Sequence, residues 1–436
     1  MKANAEFNSN RPWTDWQKIA FRFFFIFLIL QLLTENFWGN LFGGSLVIWR
    51  LSEKIFVQPC LWLNNHIFHF KYIPQTWTTF SGALHTIRDV VYLMLTCLAC
   101  VLWTILDKKR SNYNKLLYWF SLGVIVMLSC ITFAYGIIKL FPVQMISPSF
   151  IDLYKPVGDL SPFDLLWTTF GYGKPYQVFT GFFELSGGVL ILFKPTRVTG
   201  LLIIAVVMLN VIILNYTYQV GVFTLSFYIL LLDLFLLAPY AKQLAYFFLT
   251  KQAVKLSQNE YSPRKNLKTR LPKIIAILFI AYSFISNTRF AYNLYEKRER
   301  ANQSRKYSLV TNHIVNNDTL RFIENDTTCW RIWSEREIDG KRFVTIATMK
   351  PGVAETYMVE QDTLKHYLTL HPFNQKNIAS LNFSYTDMNN NNWCLEGMIK
   401  QKNIKVELRK INPDTIVNLL KTKRTIITFD DDSNHE

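Results

Sequence analysis

Two carboxylates stand where a carboxylate is costly. Glu184 lies in FTGFFELSGG and Asp233 in YILLLDLFLL, each inside an apolar run. Hydrocarbon cannot solvate such a group, so it must face its own bundle and either pair with a base or stay protonated. The bases available are Lys139, Arg88 and His85. Asp233, deeper in its run, is expected to be protonated or bonded to Asn210, Asn215 or Tyr228. Glu184, Asp233, Lys139, Asn210, Asn215, His85 and Arg88 therefore form a candidate polar pocket for a small molecule or for protons. The structural alternative is that these polar groups fix helix register. Lys139 precedes Pro142 at the end of its run, from which it can snorkel to the interface or point inward.

Other reactive patterns are weaker. His66 and His69 in NNHIFHF share a helix face at i, i+3, a spacing that suits a metal, yet only Cys60 is near enough in sequence to join them. An aromatic-rich loop along the membrane surface explains them better, and no metal site is expected. Cys97 and Cys100, in CLAC, sit mid-run among Leu, Val and Ala and read as packing residues rather than a redox pair. Adjacent residues do not face one another on a helix, so Arg88 and Asp89 are expected to pair elsewhere. No catalytic triad, phosphate loop or transmembrane haem ligand pair is visible.

These groups are carried by a chain of 436 residues that is 50% hydrophobic, with 35 Phe. Its mean hydropathy is only +0.13, which implies two compositions joined together. The fold expected is mainly α: a polytopic transmembrane helix bundle followed by a soluble β-rich or α+β domain. Apolar runs at 19–33, 90–106, 116–141, 176–193, 198–215, 222–240 and 274–290 are each about the length that crosses a bilayer. The segment 41–49 is too short and reads as re-entrant or interfacial. The net charge of +16 comes from Lys and Arg clustered between the runs, where they orient helices and touch lipid headgroups rather than nucleic acid. Connections 107–115, 194–197 and 241–273 are the basic ones and are expected in the cytoplasm, which puts loops 34–86 and 142–175 and the carboxy-terminal domain outside. Ser161 before Pro162 predicts a short helix inside the 142–175 loop, which is expected to fold back over the bundle.

From about residue 305 the pattern changes to short alternating segments such as CWRIWSE, RFVTIATM and ETYMVE, with a DG turn at 339–340 and NNNN at 389–392. A helix is expected over 413–420 and a disordered acidic tail over 430–436. Cys329 and Cys394 would form a disulfide or remain apart, and His366 and His371 read as surface groups.

Five stretches resemble the DoxX and DoxX-like membrane proteins: YGIIKLFPVQ at 135–144, PVGDLSPFDLLWTTFGY at 156–172, FTGFFELSGGVLILFKPTRVTG at 179–200, VVMLNVIILN at 206–215 and LLLDLFLLAPY at 230–240. The resemblance covers about 116–240, and its most specific element is GxxELxGG from Gly181. It implies a four-helix transmembrane core. Named members have been associated with quinone-linked thiosulfate oxidation and membrane redox complexes, so a quinone becomes the implied cofactor and an oxidoreductase the implied partner. The organisation expected is 1–115 amino-terminal helices with an extracytoplasmic loop, 116–240 the core, 241–273 a basic cytoplasmic loop, 274–290 the last transmembrane helix and 305–436 the soluble extracytoplasmic domain. The place is the cytoplasmic (inner) membrane. The alternative function is a non-enzymatic envelope scaffold or anchor that presents the terminal domain to an envelope protein, with a small transporter behind both. Whether the chain is an enzyme is left open, and no residue is assigned as catalytic.

Overall fold

The computed structural model describes residues 12–34, 47–71, 82–153, 155, 157–254, 263, 266–323, 326–350, 352–373, 379–388 and 391–411. The chain divides into two units, one of residues 1–146 and 162–292, the other of 147–161 and 293–436.

The first unit is helical. Helices α1 (Asp15–Thr34), α2 (Val47–Leu63) and α3 (Gly82–Leu106) pack together, α2 placing Val57, Cys60 and Leu63 against Leu84, Ile87 and Val91 of α3. Helix α2 corrects the expected 34–86 loop. Arg50, Ser52, Glu53, Lys54 and Gln58 break up its apolar residues and Pro59 interrupts the pattern, so it lacks the uniform apolar run that marks the other helices. It ends in a π turn over Asn64–Phe68, where the Asn64 side chain accepts from Phe70 N at 2.9 Å and donates to Phe70 O at 3.3 Å. His66 stacks on Trp62 with ring centroids 4.5 Å apart, and His69 takes a left-handed backbone at φ 54°. The two histidines therefore finish a helix rather than share one of its faces. Most of the 41–49 segment, at 41–46, lies outside the described residues.

Helices α4 (Asn114–Leu140), α5 (Pro162–Tyr172), α6 (Lys174–Leu190), α7 (Arg197–Thr217) and α8 (Phe223–Leu237) follow. Helix α4 packs on α6, α6 on α7, α7 on α8 and α8 back on α4, which closes a ring of four around Leu128, Ile131, Leu201, Ile204 and Leu232. Small residues allow these crossings, as their sequence predicts. A Cβ on Gly188 would lie 2.1 Å from Thr132 Oγ1, and one on Gly200 2.9 Å from Gly187 O. Helix α5 begins at the expected Pro162.

The basic connection 241–273 is partly helical. Helix α9 (Ala241–Thr250) follows a 3-10 turn and exposes Tyr246, Phe247, Phe248 and Leu249. The last helix, α10 (Leu267–Gln303), has 37 residues and overruns the expected 274–290 at both ends, because the charged residues after Phe290 are good helix formers that hydropathy alone discounts. Its buried residues Ser283, Asn287 and Ala291 recur every fourth position, a stripe that meets the bundle together with the partly buried Phe279 and Ile280, while Ile275, Ile277, Leu278 and Ile285 are exposed. Five of the described helical stretches, Leu84–Leu106, Asn114–Leu140, Arg197–Thr217, Phe223–Thr250 and Leu267–Gln303, are long and apolar enough to cross a bilayer. The chain is a multi-pass membrane protein. Of the other expected crossings, 19–33 lies in the 20-residue α1, while 176–193 overruns the 17-residue α6, which ends at Leu190. In α1, Arg22 is buried, with Tyr113 Oη at 2.7 Å, Thr104 Oγ1 at 2.9 Å and Asp107 O at 3.0 Å.

The second unit is an antiparallel meander: β1 (Lys306–Val315), β2 (Asp318–Thr319), β3 (Trp330–Ile338), β4 (Lys341–Thr348), β5 (Ala354–Asp362), β6 (Tyr367–Pro372), β7 (Leu381–Met388), β8 (Asn392–Ile399) and β9 (Lys402–Ile411). Strand β9 pairs with β1, so eight strands close into a barrel, with β2 paired on β1. Three two-residue hairpins, at Asn316/Asn317, Asp339/Gly340 and Lys400/Gln401, have positive φ at both positions, the primed turns that match strand twist. Inward residues fill the interior, among them Trp333, Phe383, Leu395, Val406 and Leu408. Residues 147–161 belong to this unit, and Ile151 packs beside Tyr307, Ile332 and Ala347. Of the 142–175 connection expected to fold over the bundle, 142–146 and 162–175 belong to the helical unit and 147–161 do not. Cys329 and Cys394 are buried free thiols. His366 is exposed, while His371 is partly buried against Glu360 and Ser380. The expected 413–420 helix and acidic tail lie outside the described residues.

Candidate functional site

The ring of helices holds a cavity of about 390 Å³ at the end where α4 and α7 finish and α6 and α8 begin. Position along the chain decides its lining: Lys139 from the last turn of α4, Glu184 from just past the middle of α6, Asn210 and Asn215 from the second half of α7, Ser226 from the start of α8. Trp167 and Phe170 of α5, with Tyr176, Phe179 and Phe183 of α6, make an aromatic wall.

Lys139 donates to Glu184 Oε1, and both side chains are buried, at 7% and 2% exposure. The lysine therefore points into the bundle rather than out to the interface. In a low dielectric the pair is held by mutual attraction that offsets a large desolvation cost, so neither charge tolerates loss of the other. Glu184 Oε2 and Gln144 Oε1 are buried and have no hydrogen-bond partner among the described residues. Gln177 accepts from Met145 N at 3.1 Å and donates to Met145 O at 3.2 Å, which pins the chain just after α4. Asn215 Nδ2 donates to Ser226 Oγ at 3.2 Å, and that hydroxyl donates to Phe223 O at 2.7 Å. Phe179 and Val206 line the cavity and are also 55% and 68% exposed on the side of the bundle. In a bilayer the exposed parts of these two lining residues face acyl chains.

Four of the seven residues singled out in the sequence thus converge: Glu184, Lys139, Asn210 and Asn215. Asp233, His85 and Arg88 are not among the described lining residues. Asp233 is fully buried farther along α8, and neither of its oxygens has a partner among the described residues. The bonds expected for it are not made: Asn215 is committed to Ser226, and Tyr228 donates to Leu28 O at 3.1 Å. An unpartnered charge is costly there, which leaves the neutral acid as the tolerated form. Arg88 binds its neighbour Asp89 at 2.9 Å, against expectation, and reaches Gln31 at 3.3 Å with its guanidinium 5.6 Å from the Tyr92 ring centroid. An arginine stem is long enough to curl round its own helix, and Gln31 Nε2 shares the same carboxylate oxygen at 3.0 Å. That cluster joins α1 to α3. His85 is half-buried on α3, one turn before Arg88.

Gln144, Gln177 and Ser226 went unnoticed in the sequence. Gln177, Gly181, Glu184 and Gly188 recur at intervals of four, three and four, one face of a helix, and that spacing is the signal that could have found Gln177. Nothing local marks Gln144. Among the described residues, no group of three or more His, Cys, Asp or Glu side chains could hold a metal.

No family model matches the chain, and no solved structure matches it. Over 75 residues it is 36% identical to the uncharacterized protein YwoB of Bacillus subtilis (strain 168). That stretch is 17% of this chain and 49% of YwoB, so the chain spans about half the length of the curated relative it matches.

Proposed function

We propose that this protein is a membrane-embedded binding component that takes a lipophilic small molecule from the bilayer into the cavity beside Glu184 and Lys139. One observation carries the reading: a buried ion pair, with one carboxylate oxygen unsatisfied, faces an apolar cavity whose lining includes the lipid-exposed Phe179 and Val206. The DoxX-like motifs make a quinone the first ligand to try and an oxidoreductase the first partner, within a membrane redox system. The four-helix ring is consistent with the core that the motifs imply. The basic character of 107–115, 194–197 and 241–273 supports a topology with these connections in the cytoplasm and the barrel outside the cytoplasmic membrane.

The barrel supports a second reading, an envelope anchor that presents this domain to a protein partner, because its closed sheet and separate core give it a body of its own. Crosslinking through residues 305–411 that recovers no envelope protein would count against it.

The primary reading is tested on protein purified in native-lipid discs, with bound lipids and quinones identified by mass spectrometry. Wild type is expected to carry one lipophilic species in near-stoichiometric amount, and the double variant Lys139→Met/Glu184→Gln several-fold less at equal folding. Equal recovery from both would overturn it.

A further inference from the structure

We infer that the cavity selects a neutral head group that donates hydrogen bonds, a hydroxyl-bearing lipophile such as a hydroquinol or a long-chain alcohol, over an ether, carbonyl, carboxylate or ammonium head on a comparable tail. This rests on the cavity being the binding site proposed above.

The acceptors are the first argument. Glu184 Oε2 and Gln144 Oε1 both belong to cavity-lining residues and are buried without a partner among the described residues. A carboxylate oxygen can only accept, so whatever satisfies Glu184 must donate. Several lining donors already have an acceptor, although Lys139 and Asn215 each keep further N–H groups. Lys139 donates to the other oxygen of Glu184, Asn215 to Ser226, Thr132 to Leu128 O at 2.9 Å and Thr180 to Gln177 O at 2.9 Å. A head group that only accepts, such as a quinone carbonyl or an ether, would leave Glu184 Oε2 as it found it.

Charge is the second argument. Lys139 and Glu184 are the charged residues among the described lining, and they cancel. A carboxylate or phosphate head would bring a second negative charge beside a buried one, and an ammonium head would leave a net positive charge. Either carries a desolvation cost that the closed pair cannot offset. A hydroxyl supplies the missing donor without changing the charge. The aromatic wall, with Phe179 and Val206 exposed beside it, then accommodates a ring and its tail.

The test uses the full chain in phosphatidylcholine nanodiscs and equilibrium binding of six probes: decylhydroquinone, its dimethyl ether, decylbenzoquinone, dodecanol, dodecanoate and dodecylamine. Decylhydroquinone is expected to bind about tenfold or more tightly than its dimethyl ether, the loss typical when a charged acceptor goes unpaired. Dodecanol is expected to exceed dodecanoate and dodecylamine. Dodecanol matching decylhydroquinone would assign the preference to any alcohol, and dodecanol falling behind it would assign the preference to a phenolic ring; both support a donating head. In Lys139→Met/Glu184→Gln, which stays neutral and close in volume, the hydroquinone preference should shrink to within about threefold. Binding in which the ether, quinone, acid or amine equals or exceeds its hydroxyl counterpart would overturn the donor inference and leave the cavity reading standing. Failure of all six probes to bind would remove the cavity reading itself.

Discussion

A Cβ placed on Gly181 would stand 2.6 Å from the Cβ of Lys139, and 2.7 Å from the carbonyl oxygen of Gly136. The absence of a side chain at 181 therefore sets how closely α4 and α6 approach, and that approach brings Lys139 to Glu184, three residues beyond Gly181.

Gly181→Ala should push the two helices apart. The nearest atoms include backbone, which cannot swing away, so a loss of about 1–3 kcal/mol is expected, together with weaker ligand retention. Gly123 lies in the same α4 with nothing within 4 Å of a Cβ, and Gly123→Ala should be neutral or slightly stabilising. Thermal unfolding in detergent separates the two.

Removing one member of the ion pair should be worse than removing both. Lys139→Met or Glu184→Gln alone breaks a pair buried in the bundle, and Lys139→Met strands a charge at about 3–5 kcal/mol, while the double variant should recover most of that. A double-mutant cycle on unfolding in detergent checks this, and additive losses would contradict it.

Asp233 has no partner among the described residues for either oxygen. Asp233→Leu should therefore hold or raise stability, by about 1–3 kcal/mol, because an unsatisfied buried group is replaced by an apolar one. A clear loss of stability in the same unfolding assay would mean that the carboxyl supports the packing after all.

In the barrel, His313 accepts from Trp330 N at 3.1 Å, and burial pushes its pKa below the usual 6.5 against the opposing charge of Asp326. Folded His313 is thus neutral where the unfolded chain takes up a proton. Its contribution is fully present above about pH 6.5 and is lost as pH falls toward the lower folded value. Hydrogen exchange of barrel peptides, corrected for intrinsic rates, should lose protection between about pH 7 and pH 5, and His313→Gln should flatten that dependence.

Burial also raises the Cys329 thiol to about 11 and the Cys394 thiol above its usual value. Both should resist alkylation in the folded protein at neutral pH, and both should react after unfolding without reductant. Intact-mass measurement would expose a disulfide as a failure to gain either adduct.

Much of this was legible before the structure, and the rest was hidden for identifiable reasons. Long apolar runs and the GxxELxGG spacing announced the close-packed helices, and Glu184 announced itself by its cost. Which base would meet it was not legible, because Lys139, Arg88 and His85 differ in helix position and depth, and these depend on the crossing at Gly181. The same ignorance of depth grouped Asp233 with the pocket. Helix α2 was concealed by Pro59 and a half-polar surface. Strand alternation and the Asp339/Gly340 turn revealed the sheet, but closure rests on β1 pairing with β9 across most of the domain, which no local pattern records.

The most direct measurement is a high-resolution map of the protein extracted in its own lipid. The account predicts an elongated non-protein density in the cavity between α6 and α7, with its polar end within hydrogen-bond reach of Glu184 Oε2. A Glu184 side chain turned toward the surrounding acyl chains, or a cavity closed by the packing of its own aromatic wall, would contradict it.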